Sequence, residues 1–251
     1  MVTAIKNNRQ INAMSEGGKM LATILELLKK EVQVGISTKD IAKIAETELN
    51  KLGGESAFLN YQGYPEVICV SINQEIVHGI PKSDKFIKDG DIVSLDFGVK
   101  YKGMITDAAI SVIAGKAKQK KHLKLIEDTE KSLYKGIKVV KDRIRTGDIG
   151  NAIESYLEKG HYGIIKDLVG HGVGTFVHED PNIPNFGRKN TGPWLQKNMT
   201  IAIEPMVTLG TDQIKIADDG WTVETVDGSL AAHFEHTVLI TDEGAKILTR
   251  L

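Results

Sequence analysis

The sequence predicts an α+β protein made of two related halves. In each half, a long amphipathic helical pattern and a shorter one precede a strand-rich segment. A further segment, Ile92–Val112, alternates apolar and polar residues around a turn, which indicates a β-hairpin. The two shorter helices share identical residues at an offset of 108: Thr38, Asp40, Ile41, Glu46, Leu49 and Lys51 match Thr146, Asp148, Ile149, Glu154, Leu157 and Lys159. We interpret this as a diverged internal repeat; chance similarity of two amphipathic helices is the alternative.

The helices and strands follow from periodicity and from capping and turn signals. Apolar spacings of three and four residues predict helices at Asn8–Lys30, Thr38–Leu52, Lys118–Lys141 and Thr146–Gly160. Short apolar runs predict strands at Val67–Ile72, Thr175–Val177, Thr200–Val207, Trp221–Val226 and Ala232–Ile240. Without a linker between the halves, we expect one domain over residues 1–251, with repeats at roughly 8–115 and 116–251.

Composition excludes several classes of protein. The chain has 251 residues, 41% of them hydrophobic, and a net charge of −1, which gives no support for nucleic acid as its main partner. No apolar run reaches the length of a membrane span, and the start lacks the apolar core of a signal peptide. The single cysteine, Cys69, excludes an internal disulfide and a thiolate-rich zinc site. We therefore expect a cytoplasmic protein whose metal sites, if any, use His, Asp and Glu.

The hairpin carries an electrostatic problem. With Tyr101 and Lys102 at its tip, Asp96 is predicted to lie directly opposite Asp107. Facing carboxylates repel each other in a sheet, so a cation between them is expected. The alternative from the hairpin alone is a pair of solvated aspartates on an exposed face.

Other residues could complete a metal site. Gly170–Gly174 surrounds His171 with glycines, and His178 follows seven residues later. Glu204 and Glu235 each sit within or at the end of an apolar strand, where an unpaired carboxylate is costly. The alternatives are that His171 is an incidental residue of a glycine-rich turn and that Glu204 and Glu235 lie on the surface. Together, four carboxylates and one imidazole suit Mn²⁺, Fe²⁺, Co²⁺ or Zn²⁺, and their charge suits two divalent ions. The full set is Asp96, Asp107, His171, Glu204 and Glu235.

In this order and spacing, the residues resemble those of the type I methionine aminopeptidases, members of the M24 "pita-bread" metallopeptidases. The resemblance covers the whole chain. It rests on VHGIP at 77–81, SLDFGV at 94–99, TDAAIS at 106–111, GHGVGTFVHEDP at 170–181, AIEP at 202–205 and FEHTVLIT at 234–241. It implies the pita-bread fold, with two pseudo-symmetric halves and a central antiparallel sheet flanked by helices.

The resemblance also implies roles for these residues. Asp96 would chelate one metal ion, Asp107 and Glu235 would bridge two, and His171 and Glu204 would complete the other. Glu204 would also accept the proton of the attacking water. The resemblance implies that His178 is catalytic and hydrogen-bonds the scissile carbonyl. It also implies that His78 contacts the backbone of the residue after the methionine and assists proton transfer to the leaving amine. The methionine pocket would be lined by Tyr61, Tyr64, Cys69, Phe176 and Trp221, with Phe58 at its edge; ordinary core packing is the alternative for these six.

The implied function is removal of the N-terminal methionine from nascent proteins and peptides, with preference for a small second residue. The implied cofactors are two divalent ions, Fe²⁺, Mn²⁺, Co²⁺ or Zn²⁺. We expect a monomer in transient contact with the ribosome, with no membrane or specific nucleic-acid partner.

Two other functions are alternatives to this one. The related Xaa-Pro peptidases carry an extra N-terminal domain, for which the position of Asp96 leaves no room in this sequence. A non-enzymatic relative that binds RNA or protein is expected to lose ligands, and here all five positions are kept. Only 30 residues separate Glu204 from Glu235, which indicates that the helical insertion of type II enzymes is absent.

Overall fold

The computed structural model describes residues 5–251, which form a mixed α+β fold around a curled antiparallel sheet. Each of the four predicted helices is present, with its ends within a few residues of the prediction. They are α1 (Asn8–Glu31), α2 (Thr38–Leu52), α3 (Lys120–Val139) and α4 (Thr146–Leu157), and short 3₁₀ turns occupy Tyr61–Gly63 and Glu158–Gly160. None of the helices in the described range is long and apolar enough to cross a membrane.

The strands form one nine-stranded sheet and three small sheets. The strands are β1 (Glu55–Ser56), β2 (Cys69–Ile72), β3 (Glu75–Val77), β4 (Ile92–Tyr101), β5 (Met104–Ile113), β6 (Ile144–Arg145), β7 (Gly163–Ile164), β8 (Gly170–Gly172), β9 (Glu179–Ile183), β10 (Trp194–Leu195), β11 (Thr200–Ile203), β12 (Met206–Thr208), β13 (Ile214–Ile216), β14 (Val223–Thr225), β15 (Ala231–His233), β16 (Glu235–Thr241) and β17 (Gly244–Ile247). The main sheet runs in the order β1-β4-β5-β16-β11-β8-β9, with β2 also paired to β4 and β17 to β16.

The helices cover the sheet with their apolar faces. Helix α1 begins at a capping box formed by Asn7 and Gln10, which satisfies free N–H groups at its start. Its buried face packs on β4 and β5, and α2 packs beside it. Helices α3 and α4 pack on each other in the second half and bury residues such as Leu133 and Ile153. The two helix pairs leave the opposite face of the sheet free for polar side chains.

The predicted register of the central hairpin is wrong by two residues. Asp107 lies opposite Gly98, and Asp96 lies opposite Ala109. The cause is the turn, because Lys102 and Gly103 adopt positive φ angles of 48° and 77° and form the two-residue tip in place of Tyr101 and Lys102. The two aspartates are therefore diagonal neighbours. They still share one face, because residues two apart on a strand point the same way.

Three other local predictions also need correction. No strand forms at Thr175–Val177, where a turn is closed by hydrogen bonds to Glu179. The predicted strand Thr200–Val207 is two strands, β11 and β12, because Glu204-Pro205 interrupts the ladder. The run Ala232–Ile240 is likewise divided between β15 and β16 at Phe234.

Candidate metal centre and substrate cavity

The sheet brings the predicted ligands together in adjoining rows. In one row, Cys69 lies opposite Asp96, Asp96 opposite Ala109, and Ala109 opposite Glu235. Directly paired residues of an antiparallel sheet project from the same face. Asp107, two residues before Ala109, projects from that face as well. Strands β4, β5 and β16 thus supply three carboxylates to one small area.

Strands β8 and β11 supply the remaining two residues. His171 is the central residue of β8, and Glu204 directly follows β11. The His171 Nε2 atom lies 3.3 Å from Glu204 Oε1. One ligand atom each from Asp107, His171 and Glu235 can be chosen so that all three lie within 4.8 Å of one another. All five predicted ligands are buried.

The donor set fits divalent metal ions. Within residues 5–251, one carboxylate oxygen each of Asp96, Asp107 and Glu235 is buried without a hydrogen-bond partner. Buried acceptors without partners are costly, and a coordinated cation removes that cost. Hard oxygen donors with one imidazole are the ligands that Mn²⁺, Fe²⁺, Co²⁺ and Zn²⁺ accept. The structure therefore supports a divalent metal site here.

The pKa values of the four carboxyl groups describe the same crowding. Burial, followed by the charges of the neighbouring carboxylates, raises the pKa of Asp96, Glu204 and Glu235 well above the usual range. Burial raises the pKa of Asp107 to about 7. Because these pKa values are raised, protons compete with cations for the same oxygens.

His171 is held in its neutral form, with one ring nitrogen free to bind a metal ion. Its Nδ1 donates to the Gly172 carbonyl oxygen at 2.9 Å, which leaves Nε2 unprotonated and directed towards Glu204. Burial, and secondarily His178, lowers the pKa of His171 to about 3. A fixed neutral tautomer is the form in which histidine binds metals.

A threonine fixes the position of Asp107. The Thr237 hydroxyl accepts a hydrogen bond from the Asp107 N–H at 2.8 Å and donates one to the Asp107 carbonyl oxygen at 2.8 Å. Thr237 is fully buried. The hydroxyl satisfies both backbone groups of the residue at the centre of the site, at the point where β5 and β16 meet.

Two further histidines, His178 and His78, flank the five ligands. The His178 Nδ1 is hydrogen-bonded to the Tyr61 hydroxyl at 2.8 Å, and its ring lies 4.3 Å from that of His171. His78 adopts a φ of 59°, which is unusual for a non-glycine residue, and its ring approaches Trp221 edge-on. Burial lowers the pKa of both, that of His78 to about 4, so both imidazoles are neutral near pH 7.

A cavity of about 140 Å³ adjoins the ligands. Its walls combine the five carboxylate and imidazole residues with most of the predicted aromatic pocket. The predicted residues that line it are Phe58, Tyr61, Tyr64, Cys69, His78, Asp96, Asp107, His171, His178, Glu204, Trp221 and Glu235. A larger groove between α1 and α3 contains none of the predicted ligands.

Phe176 is the one predicted pocket residue that the structure places elsewhere. Its side chain is 55% exposed and lies outside the cavity lining. The reason is the turn at 174–178, where the N–H groups of Thr175 and Phe176 both bind Glu179 and the side chains of these two residues are exposed, whereas Val177 is buried.

Sequence reasoning missed some residues around the site. Gln62, Val77 and Val177 also line the cavity, and His233 Nε2 lies 3.7 Å from Glu204 Oε2. His233 lies two residues before Glu235 in the predicted strand Ala232–Ile240. Strand alternation puts both side chains on the same face, and this signal could have identified His233. Gln62 has a φ of 51° in a turn of irregular backbone, for which the sequence carries no such signal.

Comparisons with known proteins agree with this site. A protein-family model described as "Metallopeptidase family M24" matches residues 12–242. A methionine aminopeptidase of Mycoplasma capricolum is 47% identical over 250 residues, covering 100% of this chain and 99% of the relative. Methionine aminopeptidase 1 of Bacillus subtilis is 46% identical, covering 98% of both chains. Among solved structures, a methionine aminopeptidase from Thermotoga maritima has a TM-score of 0.97 and 43% identity, and the match covers 100% of both chains.

The chain belongs to metallopeptidase family M24. A prolidase from Pyrococcus furiosus shares the fold alone. It is 21% identical with a TM-score of 0.79, and the match covers 99% of this chain and 66% of the prolidase. The predicted pita-bread fold is therefore confirmed. The full-length relatives support a metalloaminopeptidase with methionine aminopeptidase activity, as the sequence predicted.

Proposed function

We propose that this chain removes the N-terminal methionine from nascent polypeptides and peptides, with preference for a small second residue. One observation carries the proposal. A buried set of five ligand-type residues forms one wall of a cavity whose other walls are aromatic and apolar. This arrangement suits hydrolysis beside a bound apolar side chain.

The proposed cofactors are two divalent ions, drawn from Fe²⁺, Mn²⁺, Co²⁺ and Zn²⁺. Asp96 would hold one ion, Asp107 and Glu235 would bridge both, and His171 with Glu204 would hold the other. When bound, a pair of ions supplies Lewis acidity and a nucleophile at neutral pH. The partnerless buried oxygens of Asp96, Asp107 and Glu235 support these roles.

The remaining steps use side chains of this chain. Glu204 is proposed to accept the proton of the attacking water, because its carboxylate lines the cavity beside the other proposed ligands. His178 donates a hydrogen bond from Nε2 to the oxygen of the scissile carbonyl, because Tyr61 occupies its Nδ1. For that donation Nε2 carries the proton and Nδ1 accepts from the Tyr61 hydroxyl. His78 contacts the backbone of the residue after the methionine.

The proposed methionine pocket is formed by Tyr61, Tyr64, Cys69 and Trp221, with Phe58 at its edge. Phe176 is left out because it lies outside the cavity. Cavities of about 150 Å³ bind ligands as small as benzene, so a volume of about 140 Å³ suits one unbranched thioether side chain. Aromatic walls also favour contact with sulfur.

The substrate suggests the cellular context. Nascent chains present their N-terminal methionine as they leave the ribosome, so we propose a monomer that contacts the ribosome transiently in the cytoplasm. Neither a membrane nor a specific nucleic acid is part of this proposal.

A substrate panel tests the function. The purified protein, stripped of metal and reloaded with Mn²⁺, Fe²⁺, Co²⁺ or Zn²⁺ under anaerobic conditions, is given Met-Ala, Met-Lys and Ala-Pro peptides. We expect rapid cleavage of Met-Ala, slow cleavage of Met-Lys and no cleavage of Ala-Pro. Preference for Ala-Pro would overturn the proposal in favour of an Xaa-Pro peptidase.

A further inference from the structure

Lys6 is a fully buried lysine outside the metal centre. Its side chain has 0% exposure, and its Nζ lies 2.6 Å from Glu179 Oε2, on a side chain that is only 5% exposed. Lysine is almost never buried unless it is paired. A salt bridge so far from water is poor evidence for stability alone, because desolvation opposes the attraction. The pair therefore calls for a reason beyond stability.

The other oxygen of Glu179 closes a turn. Glu179 Oε1 accepts the backbone N–H of Thr175 at 2.6 Å and that of Phe176 at 3.2 Å. This turn ends at His178, whose imidazole enters the cavity. One carboxylate thus joins the buried ammonium of Lys6 to the backbone that carries His178.

The surrounding backbone is shaped around the Lys6 side chain. A Cβ at Gly174 would lie 2.3 Å from Lys6 Cε and 2.7 Å from its Nζ, so only glycine leaves room for the lysine. The Lys6 N–H donates to the Asn198 carbonyl oxygen at 2.8 Å, and the Ile105 N–H donates to the Gly174 carbonyl oxygen at 2.7 Å. The Lys6 backbone is therefore fixed to Asn198 and the start of the turn is fixed to β5, while the lysine side chain lies against Gly174 and is paired with Glu179.

The geometry points to Lys6 as a positioning residue for catalysis: through Glu179, it holds the turn that aims the His178 imidazole at the substrate. The inference rests on the proposed function, because it takes His178 as the residue that contacts the scissile carbonyl. Lys6 itself touches neither the cavity nor the five ligands, so its effect on the reaction passes through the turn.

The first test is the Lys6→Met variant, which keeps the length of the side chain and removes its charge. Small displacements of a catalytic group lower rates by up to about 100-fold, so we expect kcat for Met-Ala-Ser to fall about 10- to 100-fold. KM should stay within about threefold and metal content should be unchanged, since loss of a transition-state contact acts on kcat. An unchanged kcat would overturn the inference.

Hydrogen exchange of backbone amides measures directly how firmly the turn is held. In Lys6→Met, the amides of Thr175 and Phe176 should exchange at least about tenfold faster, because Glu179 no longer holds them firmly. The matched control is Lys124→Met, which removes the lysine from the buried carboxylate of Asp128 on α3, 2.5 Å away. This control should leave kcat and the exchange of both amides unchanged. Equal exchange in wild type and Lys6→Met would contradict the inference.

A double-mutant cycle tests the coupling of the pair. Glu179→Gln conserves volume and should also lower kcat, and it carries the test if Lys6→Met does not fold. The Lys6→Met/Glu179→Gln protein should lie within about threefold of the slower single variant, because residues in one network are not additive. Losses that multiply would show that the two residues act separately.

The Lys6→Met substitution made in the His178→Ala variant distinguishes failure of this inference from failure of the proposed function. In His178→Ala, adding Lys6→Met should not lower kcat further, and a further loss of tenfold would show that Lys6 acts by another route. If His178→Ala leaves kcat unchanged, the proposed role of His178 fails. If His178→Ala is slow and Lys6→Met is not, only the positioning role of Lys6 fails.

Discussion

Replacing Thr237 with valine removes a single oxygen from beneath the metal site. Valine matches the shape of threonine, so the variant leaves no cavity. The change removes the acceptor of the Asp107 N–H and the donor to the Asp107 carbonyl oxygen, each at 2.8 Å. Both backbone groups then lie buried without a partner, in a sheet whose core excludes water.

The magnitude follows from those two groups. A buried donor or acceptor that loses its partner costs about 1–3 kcal/mol, so the pair costs about 2–6 kcal/mol. Domains of this size lose about 2–4 °C of melting temperature per kcal/mol, which predicts a fall of roughly 12 °C for a loss of about 4 kcal/mol. Asp107 should also shift, and residues that orient metal ligands contribute about 10- to 100-fold in metal affinity.

The assay has two readouts and a matched control. Urea unfolding of the metal-free protein gives the free energy of unfolding, and Mn²⁺ titration gives the affinity. Thr237→Ser keeps the hydroxyl and loses one methyl group, so it should lose only about 1 kcal/mol and retain metal affinity. A Thr237→Val protein within about 0.5 kcal/mol of wild type, with unchanged Mn²⁺ affinity, would refute the reasoning.

The remaining predictions concern the ligands, the imidazole and the protons. Asp107→Asn should abolish peptidase activity and lower metal occupancy, measured by turnover and elemental analysis; turnover near wild type would refute its role as a ligand. His178→Ala should lower kcat by about 100-fold with metal content intact, and loss of metal would instead indicate a ligand. Because burial raises the pKa of Asp107 to about 7, metal uptake at pH 6.5 should release protons, and affinity should rise with pH. Calorimetry in buffers of different ionisation enthalpy measures this release, and a pH-independent affinity would contradict it.

The sequence predicts much of the fold because its signals are local. Helix α2 begins and ends at the predicted residues, since Ser37 caps its start and Gly53 ends it in a left-handed conformation. The shared face of Asp96 and Asp107 was predictable from strand alternation alone. Their register was not, because it depended on whether Lys102 would accept a positive φ.

Long-range contacts set the limit of such prediction. The pairing of Cys69 with Asp96 joins strands that are separated by a loop, and no local pattern states that register. The Lys6–Glu179 pair spans 173 positions, and the double hydrogen bond of Thr237 to Asp107 spans 130. Lysine and threonine are common on protein surfaces, so the sequence does not indicate that Lys6 and Thr237 are buried. Only the tertiary structure shows it.

Anomalous diffraction from Mn²⁺-loaded crystals tests the central claim most directly. The account predicts two strong anomalous peaks against the cavity-facing side of β4, β5 and β16, with ligand atoms from Asp96, Asp107, His171, Glu204 and Glu235. It also predicts that the cavity lined by Tyr64, Cys69 and Trp221 opens onto those peaks. Peaks elsewhere on the protein, or no ordered ion among these five residues at saturating Mn²⁺, would contradict the account.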